Sequence, residues 1–306
     1  FIETGSDNDW NFDFLYENIK EDISDADLAS VNQETPLTTE HENAAGYPDF
    51  NTPLEVGDAL ADACFDIVTQ ATEHAFDQEE TGIRDTISFW EDEHEKITLL
   101  GIHDSESDSR YQIIEEKNFK IAVMNYSTML SENHSIPEDS SYMVNLYSEE
   151  NAQADLEEAK QEADVAIVYL HGGQDESVEP EERLQERVQF LAEQGADVII
   201  CSHPHILKGY ELIEKPDGKE TLVYYSLGNF VSAQSSLENL LGGMADFTLT
   251  KEGDEVTIDS YSMIPLVMHY NPDYTECSVY KLSDYTDELA QEHGIHEENP
   301  EADFTI

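Results

Sequence analysis

The sequence predicts an α/β fold, and three observations carry the prediction. Short apolar runs alternate with stretches of helical spacing along most of the chain. The stretch 180–201 reads most clearly, as helix, stop and strand. Several apolar runs end abruptly at Asn, Glu or His.

Taken in order, residues 13–23 have helical spacing and 26–31 form a short apolar strand. Residues 54–63 again place apolar side chains at helical intervals, 65–69 are a β-type run, and 82–90 form a further helix. Two more strands fall at 99–102 and 120–125, and the polar stretch 131–141 is a loop. Residues 152–163, rich in Ala, Glu and Lys, favour helix because those side chains lose little rotamer freedom there, and strand 165–170 follows. Pro180 suits a helix start, where its missing N–H would have no partner anyway. Leu184, Val188 and Leu191 fall on one face, and Gly195 supplies the stop before strand 198–201. Strands at 222–225, 247–250 and 256–263 complete the set, the last two joined by the turn Lys251-Glu252-Gly253-Asp254. No repeat, low-complexity linker or domain boundary interrupts the chain. It is read as one domain, 1–306, with a core over about 26–268 and a C-terminal extension over about 269–306.

With 306 residues, 39% of them hydrophobic, the chain has material for a substantial core, and its apolar runs argue against disorder. The 69 Asp and Glu against 14 Lys and Arg give a formal charge of −55, which excludes DNA, RNA and anionic lipid as non-specific partners. Self-repulsion on that scale needs screening, and the Debye length falls from about 10 Å at 0.1 M salt to about 3 Å at 1 M. A salt-rich source is therefore expected, and a stability that stayed constant from low to molar salt would contradict it. Three cysteines, Cys64, Cys201 and Cys277, are too few for a disulfide framework. No run reaches the roughly 18 apolar residues of a membrane span and no signal peptide opens the chain; it starts at Phe1 without a Met, which suggests that an upstream segment has been removed.

Candidate chemistry collects where apolar runs stop. Strand 26–31 leads into Asn32 and Glu34, 65–69 into Glu73, His74 and Asp77, 165–170 into His171, and 198–201 into His203 and His205. In open α/β sheets the carboxyl ends of strands line the ligand crevice, so these distant residues are expected to converge. Imidazole nitrogen with carboxylate oxygen and no thiol suits a catalytic divalent cation, Zn, Mn or Fe, better than a structural zinc. Ser202-His203-Pro204-His205 is the sharpest local signal: Pro204 biases His203 toward extended backbone, where residues two apart point the same way. Blander readings stand beside these, with His74 as a helix-capping or core histidine, Asn32 and Glu34 as a turn before Pro36, and Asp77 as a solvated acid. His41, His94, His103, His134, His269, His293 and His296 lack the post-strand setting and are read as surface or packing residues.

At these positions the chain resembles the CapA/PgsA family of capsule and poly-γ-glutamate proteins. Asn32-Gln33-Glu34-Thr35-Pro36-Leu37 resembles its Asn-x-Glu-Thr-Pro segment, and residues 71–77 its Asn-Asn-His-x-x-Asp segment. His171-Gly172-Gly173 resembles its His-x-Gly segment, residues 195–205 its Gly-Ala-Asp-x-hydrophobic-His-Pro-His block, and Ser226-Leu227-Gly228-Asn229-Phe230 its Ser-Leu-Gly-Asn-Phe signature. The resemblance implies a calcineurin-like metallophosphoesterase fold, a β-sandwich flanked by helices with ligands at strand ends, and a place at the outer face of the cell membrane. The family's opening Gly-Asp strand is not found before Phe1, so one ligand is expected to be missing. Glu73 stands where the family has a second Asn, and Asp175 where it has Glu.

The expected activity is metal-assisted hydrolysis of the γ-amide bond of poly-γ-glutamate or a related anionic polymer. His171, His203, His205, Asn32 and Glu73 are the ligands, the cation lowering the pKa of its water toward about 7, and His74 or Glu34 transfers the proton to the leaving amine. Asp77, Asp175, Ser226 and Asn229 are expected to orient ligands or substrate. A polyanionic substrate requires molar salt, or a gathering of the few cations, Arg183, Arg187 and Lys208 among them, near the cleft. Two rivals share these residues: a phosphoesterase, and a non-catalytic subunit that guides polymer at a membrane synthase.

Overall fold

The computed structural model describes residues 1–38, 41–174, 177–253, 255–301 and 304. Helix α1 (Ile2–Asp7), a 3-10 turn (Asp13–Leu15) and α2 (Lys20–Ser24) precede strand β1 (Ser30–Asn32). A two-residue parallel ladder joins β2 (Leu37–Thr38) to β3 (Thr52–Pro53), and α3 (Glu55–Asp62), β4 (Ile67–Thr69), α4 (Glu79–Glu93) and β5 (Thr98–Leu100) follow. Then come β6 (Tyr111–Glu116), β7 (Phe119–Ser127), α5 (Glu149–Ala159), β8 (Val165–His171), α6 (Glu182–Gln194) and β9 (Val198–Ser202). The chain continues through β10 (Tyr210–Glu214), β11 (Glu220–Tyr224), β12 (Leu241–Glu252), β13 (Glu255–Tyr270), β14 (Cys277–Lys281), α7 (Asp287–Glu292) and α8 (Ile295–Glu298).

β1, β4 and β5 form a parallel sheet in the order β1-β4-β5. The largest sheet has the order β10-β11-β9-β8-β7-β6, its four central strands parallel and its two edges antiparallel. β12, β13 and β14 make an antiparallel sheet.

Alternation along the central strands sets the layers. Ala166, Val168 and Leu170 of β8 pack with Leu184, Val188 and Leu191 of α6 and with Leu156 of α5. Val165, Ile167 and Tyr169 turn the other way, onto Ile67 of β4, Leu100 of β5 and side chains of β12 and β13. Both faces of β8 are thus covered, which is why the strand reads as an unbroken apolar run. The result is mixed α/β, sheet packed on sheet with helices outside, as the resemblance implied.

Several elements differ from the sequence reading. The helix expected over 13–23 is broken into a 3-10 turn and α2, because its carbonyls and side chains are engaged elsewhere: the Ser278 hydroxyl donates to the Leu15 carbonyl at 3.3 Å, and Asn18 donates to Ser278 Oγ at 2.8 Å. Ala26–Val31 shortens to β1. Phe65 drops out of β4 because its N–H closes the end of α3 on the Leu60 carbonyl. The proposed turn 251–254 includes Asp254, which lies outside the described residues; β12 and β13 pair up to Glu252 and Glu255 beside it. Residues on both sides of 269 share one core, in which Tyr270, Cys277, Val279 and Ile295 pack with Phe12, Leu15, Tyr16 and Ile19. No helix among the described residues is long and apolar enough to cross a membrane.

Candidate metal centre

Parallel pairing sends β1 and β4 out at one edge of their sheet, and β8, β9 and β11 out at one edge of theirs. The segments leaving those ends meet at Glu73. This side chain lies in the loop after β4, and the loop is fixed by bonds that reach across the fold. Asn125 Oδ1 accepts from Ala71 N–H at 2.6 Å, Thr72 donates to the Glu34 carbonyl at 2.6 Å, and Ser131 N–H donates to the Glu73 carbonyl at 2.8 Å. His171, the last residue of β8, is fully buried, with Nε2 against Glu73 Oε2 and Nδ1 2.8 Å from Ser202 Oγ. His203 Nδ1 lies 2.7 Å from Glu73 Oε1. Burial favours the neutral acid, yet the imidazoles of His171 and His203 hold the Glu73 carboxyl well below the usual carboxylate range.

His205 is oriented by Asn229. The Asn229 amide donates to Gln234 Oε1 at 2.9 Å and to the Asn239 carbonyl at 3.0 Å, so its Oδ1 is the acceptor for His205 Nδ1–H, 2.9 Å away. Nε2 of His205 is then the ring nitrogen left to accept, 3.8 Å from Glu34 Oε1.

The His-Pro-His backbone departs from expectation. His203 has φ +99° and His205 φ +57°, both in the left-handed region, so the two rings are not aligned by an extended segment. They converge because the chain bends there, and residues with a Cβ adopt such angles at an energetic cost.

His74 and Asp77 form a second unit. Nδ1–H of His74 donates to Asp77 Oδ2 at 2.7 Å, leaving Nε2 4.0 Å from Glu73 Oε1. Desolvation disfavours the imidazolium, but the Asp77 carboxylate, aided by Glu73 and Glu34, raises the His74 pKa above its ordinary value. Asp77 is 4% exposed, so it is a buried partner of His74 and not a solvated acid.

Ligand atoms of Glu73, His203 and His205 lie within 4.8 Å of one another, as do those of Glu34, Glu73 and His74. Oxygen and imidazole donors sharing one ionised carboxylate fit a divalent cation. His171 stands behind Glu73. Asn32 ends β1 with Oδ1 accepting from the Thr69 hydroxyl at 3.1 Å, a strand-to-strand tie. Ser226 is buried and its Oγ accepts from Gly228 N–H at 3.1 Å, shaping the turn that presents Asn229. Gly228 has φ +63°, and a Cβ there would come within 2.5 Å of the Leu241 carbonyl oxygen. Asp175 lies outside the described residues.

Two of the cations singled out from the sequence are engaged within the fold. Lys208 is 3% exposed and its Nζ donates to the Gln174 carbonyl at 3.0 Å, with Glu181 Oε2 at 3.7 Å, while Arg187 lies over the Tyr147 ring. Two supporting residues escaped sequence reasoning. Asn125 sits inside a strand, and Phe50, far upstream of His74, meets the His74 ring edge-on at 4.6 Å between centroids.

A family model described as "Bacterial capsule synthesis protein PGA_cap" matches residues 1–234. The "PGA biosynthesis protein CapA" of Bacillus subtilis (strain 168) is 27% identical over 269 residues, 83% of this chain and 67% of that protein. The "Capsule biosynthesis protein CapA" of Bacillus anthracis is 21% identical over 257 residues, 81% of this chain and 61% of that one, so the chain spans about two thirds of these relatives. Among solved structures, a hypothetical protein from Thermus thermophilus overlaps with a TM-score of 0.49 at 13% identity, over 81% of this chain and 90% of that one. The NAD nucleotidase of Haemophilus influenzae overlaps at 0.47 and 15% identity, over 81% and 48%.

Proposed function

Because this chain belongs to the bacterial capsule synthesis family PGA_cap, we propose that it cleaves or processes poly-γ-glutamate at the outer face of the cell, using a divalent cation held beside Glu73. The observation that carries this reading is the meeting of one ionised carboxylate with histidines from separate strand ends. Glu73, His203 and His205 are the residues to hold the cation, with Glu34 and His74 beside them.

A bound divalent cation supplies Lewis-acid polarisation of the amide carbonyl and a water whose pKa falls toward about 7. The chain's own groups supply the proton. Asp77 fixes the His74 ring and favours its charged form, so Nε2 is the atom that donates to the departing amine. In this reading Glu34, half-buried beside His205, accepts hydrogen bonds from substrate. A formal charge of −55 opposes a polyanion at low salt, so the reading requires molar salt for turnover.

The test is chain-length analysis of poly-γ-glutamate incubated with metal-loaded protein in molar salt. Shortened polymer with new amino ends is expected. Intact polymer alongside hydrolysis of a phosphodiester dye would replace this reading with a phosphoesterase, and polymer bound without cleavage would replace it with a guiding subunit.

A further inference from the structure

Residues 45–51 form a small closed loop beside His74. Ala45 and Asn51 exchange two backbone hydrogen bonds of 3.0 Å, which pin its ends together. Its C-terminal side is fastened to the proton-bearing pair: Phe50 N–H donates to Asp77 Oδ2 at 2.9 Å, and Gln78 Nε2 donates to the Phe50 carbonyl at 2.9 Å. The Phe50 ring meets His74 at 4.6 Å and Tyr47 at 6.3 Å, both edge-on. At the tip, Tyr47 is 82% exposed, more than any other large hydrophobic residue described. Among the described residues its hydroxyl has no hydrogen-bond partner, so the ring contributes little to the fold.

An exposed ring two aromatic contacts from His74 is suited to a ligand with both apolar and acceptor groups. We infer that Tyr47 is a substrate-contact residue of this site, packing on the methylene and amide backbone of poly-γ-glutamate while its hydroxyl donates to a carboxylate, and that Phe50 is a positioning residue linking that contact to His74. The inference rests on the substrate proposed above. A neutral aromatic donor also answers the charge problem, because it grips an acidic polymer without a cation, and Lys208 and Arg187 are engaged within the fold. Its contribution is therefore independent of salt once repulsion is screened.

The experiment is steady-state hydrolysis in two molar-range salt concentrations by the metal-loaded parent, Tyr47→Ala, Tyr47→Phe and Phe50→Leu, with metal content confirming intact sites. Tyr47→Ala is expected to raise KM about fivefold by the same factor in both salts, only partly restored in Tyr47→Phe, which keeps the ring but loses the donor, and Phe50→Leu to lower kcat with less effect on KM. A Tyr47→Ala KM within about twofold of the parent overturns the inference. If the parent cleaves nothing, the hydrolase reading falls separately, and equilibrium binding of labelled poly-γ-glutamate reads the same variants. About fivefold weaker binding by Tyr47→Ala sustains the contact, whereas equal affinity, or no binding by the parent, overturns it.

Discussion

Replacing Glu73 with Gln keeps the side chain's shape, removes its charge and turns one of its two acceptor oxygens into a donor. The carboxylate faces His171 and His203 and belongs to both sets of adjacent ligand atoms, so one substitution strikes the whole centre. Each charge-assisted hydrogen bond contributes about 1.5–3 kcal/mol, and the amide cannot accept from both imidazoles with equal strength, so the metal-free protein is expected to lose about 2 kcal/mol. The effect on the cation is larger. Removing a group that merely orients a ligand lowers affinity about 10- to 100-fold, and removing an anionic ligand should exceed the upper figure, more than about 2.7 kcal/mol. The assay is dialysis against buffered free metal in molar salt followed by elemental analysis, with calorimetric titration for affinity and circular dichroism for folding. A folded Glu73→Gln protein that binds metal with the parent's stoichiometry and affinity would refute the placement of the cation.

Asn229→Ala should leave the fold intact but free the His205 ring, lowering metal affinity about 10- to 100-fold; unchanged affinity by titration would mean that His205 needs no orientation. His269 provides a test of acid stability away from the site. Burial, with His293 beside it, pushes its pKa down from 6.5 to about 4. Between these values the unfolded chain binds a proton that the folded chain refuses, so this contribution is complete above about 6.5 and is lost as pH falls toward about 4, by at most about 3 kcal/mol. Urea unfolding of His269→Gln should show a shallower loss across that window than the parent, and parallel curves would contradict the assignment.

Much of the fold and the centre is legible in the chain because buried parallel strands are apolar on both faces, and the chemistry begins where they stop. His171, His203 and Glu73 show this directly. Edge strands β6 and β10 are less visible, since Tyr210–Glu214 is mostly exposed and carries no apolar run. The break after Leu15 depends on Ser278, a partner at the opposite end of the sequence, and no local pattern announces it. The same holds for Asn125 and Phe50. The directions of His203 and His205 differ from the extended form because the Pro204 preference is local, while the bend is imposed by Glu73 on one side and Asn229 on the other.

That bend bears on how the protein can be redesigned. At positive φ a residue with a Cβ is disfavoured by about 1–2 kcal/mol relative to glycine, so a procedure that scores backbone conformation alone would write glycine at 203 and 205. The rewritten chain would shed that strain but lose two imidazoles together, and with them the bonds to Glu73 and Asn229. Stabilising campaigns on this scaffold should therefore hold those two positions fixed and seek their gains elsewhere.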